Sequence, residues 1–253
     1  MRKVCRLAAD TLLEVGDKIR AGMTTLDVDR LVHEHTLSQG ARPAPLNYKG
    51  FPKSVCTSVN EIVCHGIPDA TVLRNGDIVN VDVTHVFEGF HGDTSATFYI
   101  GTPGPDARHV TEVARKSLDI GVAEVREGAR LGDIGAAIQE YVEAQGCSVV
   151  RDFVGHGIGR KFHDAPQVKH YGKRGTGERL RAGMTFTIEP MVNLGGWEVE
   201  VDPRDKWTVR TADGSLSAQF EHTVLVTRDG VEVLTARNRS LRSSENVAAL
   251  FVA

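Results

Sequence analysis

The spacing of apolar residues predicts a pair of helices near the start of each half of the chain. Between residues 3 and 20, and again between 25 and 38, apolar side chains recur every three or four positions, and each run stops just before a glycine. The same spacing returns from about residue 107 to 127 and from 131 to 145. The segments between and after these helix pairs must then supply the strands.

The clearest strand pattern predicts a β-hairpin between residues 78 and 100. Asp82 and Thr84 alternate with valines along its first strand, and Glu88-Gly89 is a dipeptide suited to a two-residue turn. Such a turn pairs Thr84 with Asp93 and leaves Asp93 one diagonal step from Asp82 on the same face. Two carboxylates this close repel each other, which raises the pKa of one of them unless a cation neutralises the charge.

Other runs predict strands that carry further acidic residues. These strands span residues 54–64, 184–189 and 217–227. Glu189 ends the second of them, and Pro190 fixes that glutamate in an extended conformation. Glu221 lies within the third.

The two halves also share short stretches of sequence. At an offset of 106 residues, Gly22 and Asp27 align with Gly128 and Asp133. At an offset of 107, Leu73-Arg-Asn-Gly and Asp82 align with Leu180-Arg-Ala-Gly and Glu189. At an offset of 91, His65-Gly-Ile aligns with His156-Gly-Ile. This concordant order predicts duplicated halves, roughly 3–101 and 107–227, packed about a pseudo-two-fold axis within one domain of residues 1–253. Acidic residues and histidines at equivalent positions then converge on the axis.

Composition and charge narrow the class of protein. The 253 residues are 41% hydrophobic and 25% charged, as in ordinary soluble globular proteins. A net charge of -3, a pI near 6.4 and the lack of a long Lys/Arg block argue against nucleic-acid specificity. Without an apolar run of membrane-spanning length or a signal-peptide pattern, the sequence predicts a cytoplasmic protein with no membrane contact. Its four cysteines form no C-x-x-C pair, which favours free thiols.

Four acidic residues and one histidine are candidate metal ligands: Asp82, Asp93, His156, Glu189 and Glu221. Each acidic residue alone is more often solvated or at a strand edge, and the histidine alone could belong to an ordinary glycine turn. Four other histidines, His33, His35, His109 and His170, are expected to be solvated. Together the five candidates offer four carboxylates whose burial without cations is costly, whereas two divalent ions balance their charge. Oxygen-rich ligation with one imidazole suits Mn, Fe or Co better than structural zinc, and a pair of such ions activates water at neutral pH.

Residues 153–171 carry a specific signature, Phe-Val-Gly-His-Gly-Ile-Gly-Arg-Lys-Phe-His-Asp-Ala-Pro-Gln-Val-Lys-His-Tyr, whose three glycines allow close approach to a ligand. With the acidic residues above, it resembles the methionine aminopeptidases of the bacterial, type I kind. Prolidases and aminopeptidase P share the metal pattern, but residues 52–68 favour the methionine enzymes. The resemblance covers nearly the whole chain. It implies the α+β pita-bread (creatinase/aminopeptidase-like) fold, with two pseudo-symmetric halves around a curved antiparallel sheet.

The resemblance also implies a dinuclear centre of Co, Mn or Fe, with Zn and Ni as further options. The ligands of one ion would be Asp82, Asp93 and Glu221, and those of the other Asp93, His156, Glu189 and Glu221, so that Asp93 and Glu221 bridge. Three residues would take part in catalysis. Glu189 would accept a proton and pass it on, His163 would stabilise the tetrahedral intermediate, and His65 would lie near the scissile amide.

The implied methionine pocket is apolar, which suits an unbranched thioether. Its wall would consist of Tyr48, Phe51, Cys56, His65, Phe162 and Trp207. Phe51 stands where the family often has tyrosine, and Pro45 where it often has cysteine, so the rim of the pocket departs from the family pattern. A monovalent cation is implied near Asn60 and Ser217.

The resemblance therefore implies a hydrolase that removes the initiator methionine from nascent chains whose second residue is small. The expected partners are the N-terminal methionine of peptides and nascent chains and, transiently, the ribosome, and the expected state is a monomer. Two alternatives stay open. A prolidase-like peptidase would keep the metals but need a different pocket, and a non-catalytic binding protein of the same fold would have had no reason to keep all five ligands.

Overall fold

The computed structural model describes residues 1–237 and contains four α-helices within that range. They are α1 (Arg2–Lys18), α2 (Thr25–Ser38), α3 (Pro105–Ala123) and α4 (Leu131–Ala144). A capping box between Thr24 and Asp27 starts α2. The helix α3 ends at Ala123 rather than near 127, because the chain turns back through Gly128, whose φ is +88°. The two predicted helix pairs are confirmed.

Fifteen strands lie in the described part of the chain. They are β1 (Arg42–Pro43), β2 (Cys56–Val59), β3 (Ile62–Cys64), β4 (Ile78–Phe87), β5 (Phe90–Tyr99), β6 (Ser148–Val149), β7 (Gly155–Gly157), β8 (Asp164–Val168), β9 (Thr185–Ile188), β10 (Met191–Asn193), β11 (Val199–Val201), β12 (Val209–Thr211), β13 (Ser217–Gln219), β14 (His222–Val226) and β15 (Val231–Val233). Their pairs are antiparallel and form four sheets: β1-β4-β2 with β5 on β4, β15-β14-β9-β7-β8, β13-β10-β6, and β11-β12-β3. The α+β expectation is confirmed.

The central hairpin, β4–β5, has the predicted register. Thr84 pairs with Asp93, and Phe87 pairs with Phe90 across the turn. Both turn residues are left-handed, with φ of 51° at Glu88 and 78° at Gly89. This backbone shape matches the twist of the two strands and fixes their register.

Two segments predicted as single strands are each broken into two. Residues 54–64 divide at Asn60, whose φ is 54° and whose peptide N–H donates to Ile78 O at 3.0 Å. Residues 217–227 divide between β13 and β14, which belong to different sheets. Between those strands the Glu221 N–H donates to Ser95 O at 3.1 Å, outside both ladders. Long-range hydrogen bonds thus override a continuous strand pattern in both places.

Equivalent hydrogen bonds connect aligned residues of the two predicted halves, whose bounds stay a prediction. Gly22 N donates to Leu73 O at 2.9 Å in the first half, and Gly128 N donates to Leu180 O at 2.9 Å in the second. Each bond ties the loop inside a helix pair to the start of the strand segment that follows. The aligned histidines differ from this pattern, because His65 follows β3 with a φ of 55° whereas its counterpart lies within β7.

One hydrophobic cluster joins residues of both helix pairs to residues of the sheets. All four cysteines are buried free thiols, as expected. None of the helices in residues 1–237 is long and apolar enough to cross a membrane. The single domain spanning 1–253 stays a prediction, since residues 238–253 lie outside the described residues.

Candidate metal centre

The four acidic residues reach one site from two sheets. Asp82 lies in β4 and Asp93 in β5, whereas Glu189 directly follows β9 and Glu221 directly precedes β14. Pro190, which has no N–H for a ladder, ends β9 beside Glu189. Carboxylate oxygens of Asp82, Asp93 and Glu221 all lie within 4.8 Å of one another. The breaks in the strands therefore place acidic side chains beside the central hairpin.

His156 completes this cluster from the middle of β7. Its Nε2 lies 3.7 Å from Asp93 Oδ2 and 3.7 Å from Glu189 Oε1. The flanking glycines are needed for this approach, because a Cβ on Gly155 would collide with the Thr187 carbonyl oxygen. The glycine-rich segment is thus a strand pressed against its neighbours, which agrees with the predicted close approach.

Neighbouring side chains hold some of these carboxylates in place. The Thr84 hydroxyl donates to Asp93 Oδ1 at 2.7 Å, and the Thr187 hydroxyl donates to Glu189 Oε1 at 2.6 Å. Gln219 Nε2 donates to Glu189 Oε2 at 3.3 Å. These bonds fix the direction of the acidic side chains, as supporting groups do around metal ligands.

Two other carboxylate oxygens are buried without a hydrogen-bond donor. Asp82 Oδ1 and Glu221 Oε1 have no partner among the described residues. Buried acceptors left in this way are costly unless a cation meets them. With carboxylate oxygens within 4.8 Å and one imidazole beside them, the donor set fits divalent ions.

The pKa shifts of these side chains also indicate a site for cations. Burial raises the pKa of Asp82 to about 6 and that of Glu189 to about 8. Burial and the charges of neighbouring carboxylates raise the pKa of Asp93 and Glu221 well above the usual range. Burial lowers the pKa of His156, which favours its neutral form. The metal-free site therefore holds protons at neutral pH that a bound cation would displace.

Arg237 lies behind Glu221. Its buried guanidinium donates through Nη2 to the Glu221 carbonyl oxygen at 3.2 Å and to Thr94 Oγ1 at 2.7 Å. Burial lowers the pKa of Arg237 to about 9, and the Glu221 charge opposes that shift. A buried cation here partly offsets the negative charge of the cluster.

A cavity of about 310 Å³ opens onto the acidic cluster. Every residue that the sequence predicted for the site lines it, apart from the two cation residues Asn60 and Ser217: Tyr48, Phe51, Cys56, His65, Asp82, Asp93, His156, Phe162, His163, Glu189, Trp207 and Glu221. The structure thus brings the predicted catalytic, metal and pocket residues together, while the role of each stays a prediction.

The pocket side of the cavity is built from packed aromatic rings. Phe51 and Trp207 meet edge to face with ring centroids 5.2 Å apart, and Tyr48 lies 4.9 Å from Phe162. Phe153 and Met191 are among the lining residues that sequence reasoning missed. Their positions three residues before His156 and two after Glu189 were a usable signal, because neighbours of ligands in sequence often line the same cavity.

Contacts from the end of the β4–β5 hairpin hold the loop that carries Phe162 and His163 in place. The His91 N–H donates to Gly159 O at 2.8 Å, and the His91 ring stacks on Phe162 with centroids 5.6 Å apart. The His163 ring lies 4.2 Å from the His156 ring. Partial burial and the neighbouring His156, His65 and Lys49 lower the pKa of His163, and burial alone lowers that of His65 to about 4.

His170, predicted to be solvated, is completely buried. Its Nε2 accepts a hydrogen bond from the Glu189 N–H at 3.0 Å. The chain leaves β9 at this point, so the imidazole satisfies a peptide group that the ladder does not. Two other histidines predicted to be solvated, His33 and His35, are half-buried and bond to Ser54 and Thr11.

Asn60 and Ser217 are adjacent, as a shared cation would require. The Ser217 N–H donates to Asn60 O at 2.9 Å. The Asn60 side chain is occupied, because Nδ2 donates to Asp77 and Oδ1 accepts from the Ile78 N–H. The monovalent cation at this place stays a prediction.

An antiparallel α+β fold that gathers four buried carboxylates and an imidazole beside an apolar cavity defines a carboxylate-rich metallohydrolase. Residues 1–228 match metallopeptidase family M24, and the chain belongs to that family.

Similar proteins and solved structures agree with this family assignment. The chain is 56% identical over 237 residues to methionine aminopeptidase A of Synechocystis sp., a match that covers 93% of each chain. A crystal structure of methionine aminopeptidase from Rickettsia prowazekii is similar with a TM-score of 0.92 at 51% identity, over 92% of this chain and 94% of that one. The prolidase from Pyrococcus horikoshii OT3, at 19% identity and a TM-score of 0.73, over 95% of this chain and 62% of that one, shares the fold alone. The predicted family resemblance and pita-bread fold are confirmed.

Proposed function

We propose that the protein is a dinuclear-metal aminopeptidase that removes the N-terminal initiator methionine from nascent chains with a small second residue. The observation that carries this proposal is the single cavity shared by the buried acidic cluster and an apolar aromatic pocket. The 56% identity to a named methionine aminopeptidase over 93% of both chains supports the same activity.

The metal ligands proposed are the five residues predicted from the sequence. Asp82, Asp93 and Glu221 would hold one ion, and Asp93, His156, Glu189 and Glu221 the other. The clustering of Asp82, Asp93 and Glu221 oxygens supports the ligand set of the first ion, and the 3.7 Å approach of His156 Nε2 to Asp93 Oδ2 and Glu189 Oε1 supports that of the second. Divalent ions such as Co, Mn or Fe supply Lewis acidity toward a carbonyl and lower the pKa of water. The ligand types alone narrow the metal without selecting one.

Glu189 is the proposed proton carrier. Thr187 and Gln219 each donate to one of its oxygens and so orient the carboxylate. A carboxylate held in this way can take a proton from water and return it to a leaving amine. His163 and His65, at the same cavity, are the proposed neutral imidazole donors to the reacting carbonyl and amide.

The pocket wall would bind the methionine side chain. Phe51 is 2% exposed and packs edge to face on Trp207, while Cys56 offers a small buried surface. A linear thioether fits between such rings and gains from sulfur–aromatic contacts. Phe51 in place of the more frequent tyrosine makes this wall more apolar without touching the acidic cluster.

The remaining elements of the proposal concern the setting of the reaction. We infer a cytoplasmic monomer that meets nascent chains transiently at the ribosome. The net charge of -3 and the lack of a membrane-spanning helix in residues 1–237 are compatible with that setting.

One experiment compares this function with its rivals. Metal-stripped protein reloaded with Mn, Fe or Co is given a Met-Ala-Ser peptide, a Leu-Ala-Ser peptide and an Xaa-Pro substrate. We expect release of methionine only. Turnover of the Xaa-Pro substrate alone would establish a prolidase-like enzyme, and no turnover with two ions bound per chain would establish a binding protein.

A further inference from the structure

The predicted pocket residue Tyr48 makes a specific contact with a predicted catalytic residue. The Tyr48 hydroxyl lies 3.0 Å from His163 Nδ1, within hydrogen-bond distance. The two rings also stack, with centroids 5.3 Å apart and an angle of 28° between their planes. Tyr48 therefore contacts His163 both through its face and through its polar end.

The backbone on either side of Tyr48 is strained. Asn47 and Lys49 have φ values of 66° and 48°, which non-glycine residues rarely adopt. Hydrogen bonds hold this 3-10 turn, since Asn47 N donates to Phe51 O at 2.7 Å and Phe51 N donates to Tyr48 O at 2.9 Å. Unfavourable backbone conformations of this kind cluster at functional sites, where a side chain must occupy one position.

In a neutral imidazole, a contact of this kind can determine which ring nitrogen carries the proton. Such a ring has one N–H donor and one acceptor nitrogen, and the partner of one nitrogen decides which form is present. A phenol hydroxyl can donate to Nδ1 or accept from it. When it donates, the proton of a neutral ring sits on Nε2, the nitrogen on the opposite side from Tyr48.

We propose that Tyr48 is a positioning residue that holds His163 in the form protonated on Nε2, so that this N–H can donate to the oxygen of the reacting carbonyl. This inference rests on the proposed function, because it gives His163 a reacting carbonyl to meet. In that form the hydrogen bond from Tyr48 is made before the substrate arrives, and the imidazole needs no rearrangement during the reaction.

The test is the variant Tyr48→Phe, which keeps the ring and removes only the hydroxyl. We expect kcat on Met-Ala-Ser to fall by about tenfold, the scale of one lost hydrogen bond, with little change in KM. In a His163→Ala background the same change should have no further effect, because the hydroxyl acts only through His163. Tyr99→Phe is the matched control. It removes a hydroxyl that lies outside the cavity and donates to Arg108 O at 3.4 Å. This variant should leave kcat unchanged.

A spectroscopic readout tests the protonated nitrogen directly. In zinc-loaded, 15N-labelled protein, the imidazole signals of His163, identified by their loss in His163→Ala, should show Nε2 protonated. Tyr48→Phe should convert them to a mixture of the two forms.

Several results would overturn the inference. They are a raised KM at unchanged kcat, an equal loss of kcat in the presence and absence of His163, or protonation of Nδ1 in the parent protein. Failure of the proposed function looks different, because the parent protein would then leave Met-Ala-Ser intact. In that event the nitrogen signals still decide whether Tyr48 selects the protonated nitrogen.

Discussion

Relative to the metal-loaded protein, the metal-free protein should lose stability as the pH rises from about 6.5 to 8, because its folded carboxyl groups hold protons that the unfolded chain has released. Burial raises the pKa of Glu189 from 4.5 to about 8, and the pKa values of Asp93 and Glu221 are also raised. A raised carboxyl pKa contributes stability that is fully present below the unfolded value. That contribution is lost as the pH climbs through the folded value.

The size of the effect follows from one proton. Over a window of about 1.5 pH units in which folded Glu189 is protonated and unfolded Glu189 is not, the free energy of unfolding falls by about 2 kcal/mol. For a chain of this length that lowers Tm by about 4–8 °C. Histidines with lowered pKa, such as His65 and His170, oppose this fall just above their ordinary value of 6.5, where the unfolded chain still binds their protons. The fall is therefore measured against reloaded protein, in which the histidines outside the metal site contribute alike. Buried thiols have an ordinary value of 9.0, so they add little below pH 8.

Scanning calorimetry of chelator-stripped protein across this window gives the measurement. Reloaded protein is the reference, because carboxylates bound to cations stay ionised and their contribution to the slope should vanish. Glu189→Gln is the second control, since it removes one titrating group and should reduce the fall in the stripped protein. A difference in Tm between reloaded and metal-free protein that stays constant or shrinks as the pH rises would refute the reasoning, as would an unchanged pH dependence of the metal-free Tm in Glu189→Gln.

Three further predictions concern single residues. Asp93→Asn should abolish peptide turnover and reduce bound metal below two ions per chain by elemental analysis, and a variant that keeps its turnover would contradict the bridging role. His163→Ala should lower kcat by about 10²-fold at unchanged metal content, on the scale of one lost acid-base or oxyanion contact; loss of metal would contradict its role. Gly157→Ala should lower the free energy of unfolding by about 1–3 kcal/mol in urea, because the added Cβ collides with the Ala165 carbonyl. Gly159→Ala, with nothing within 4 Å, is its control, and equal urea midpoints for the two would contradict the steric account.

The sequence predicted those parts of the fold whose cause is local or repeated. The hairpin register followed from alternation and a left-handed Glu88-Gly89 turn, because side-chain direction and turn geometry both act over a few residues. The helix pairs followed from their apolar spacing. The candidate cluster around Asp93 followed from the repeat and the cost of placing buried carboxylates together, although the role of each ligand needed the family resemblance.

The features that the sequence did not predict depend on contacts between distant parts of the chain. The strand break at Asn60 depends on a hydrogen bond to Ile78, and the burial of His170 depends on the peptide group of Glu189. Tyr48 and His163 are 115 positions apart and meet only when the loops around the cavity pack. Contacts of this kind leave no periodic pattern in the sequence, so composition and spacing could not place them.

The duplicated architecture has a consequence for the order in which the enzyme gains activity during its own synthesis. Asp82 and Asp93 belong to the first half, whereas His156, Glu189 and Glu221 come from the second. Neither half can balance two divalent ions alone, and Glu221 is among the last residues of the family match. A ribosome-bound chain that stops short of residue 221 therefore lacks one of the five proposed ligands. Catalysis has to wait until the residues through Glu221 have emerged and packed against the first half.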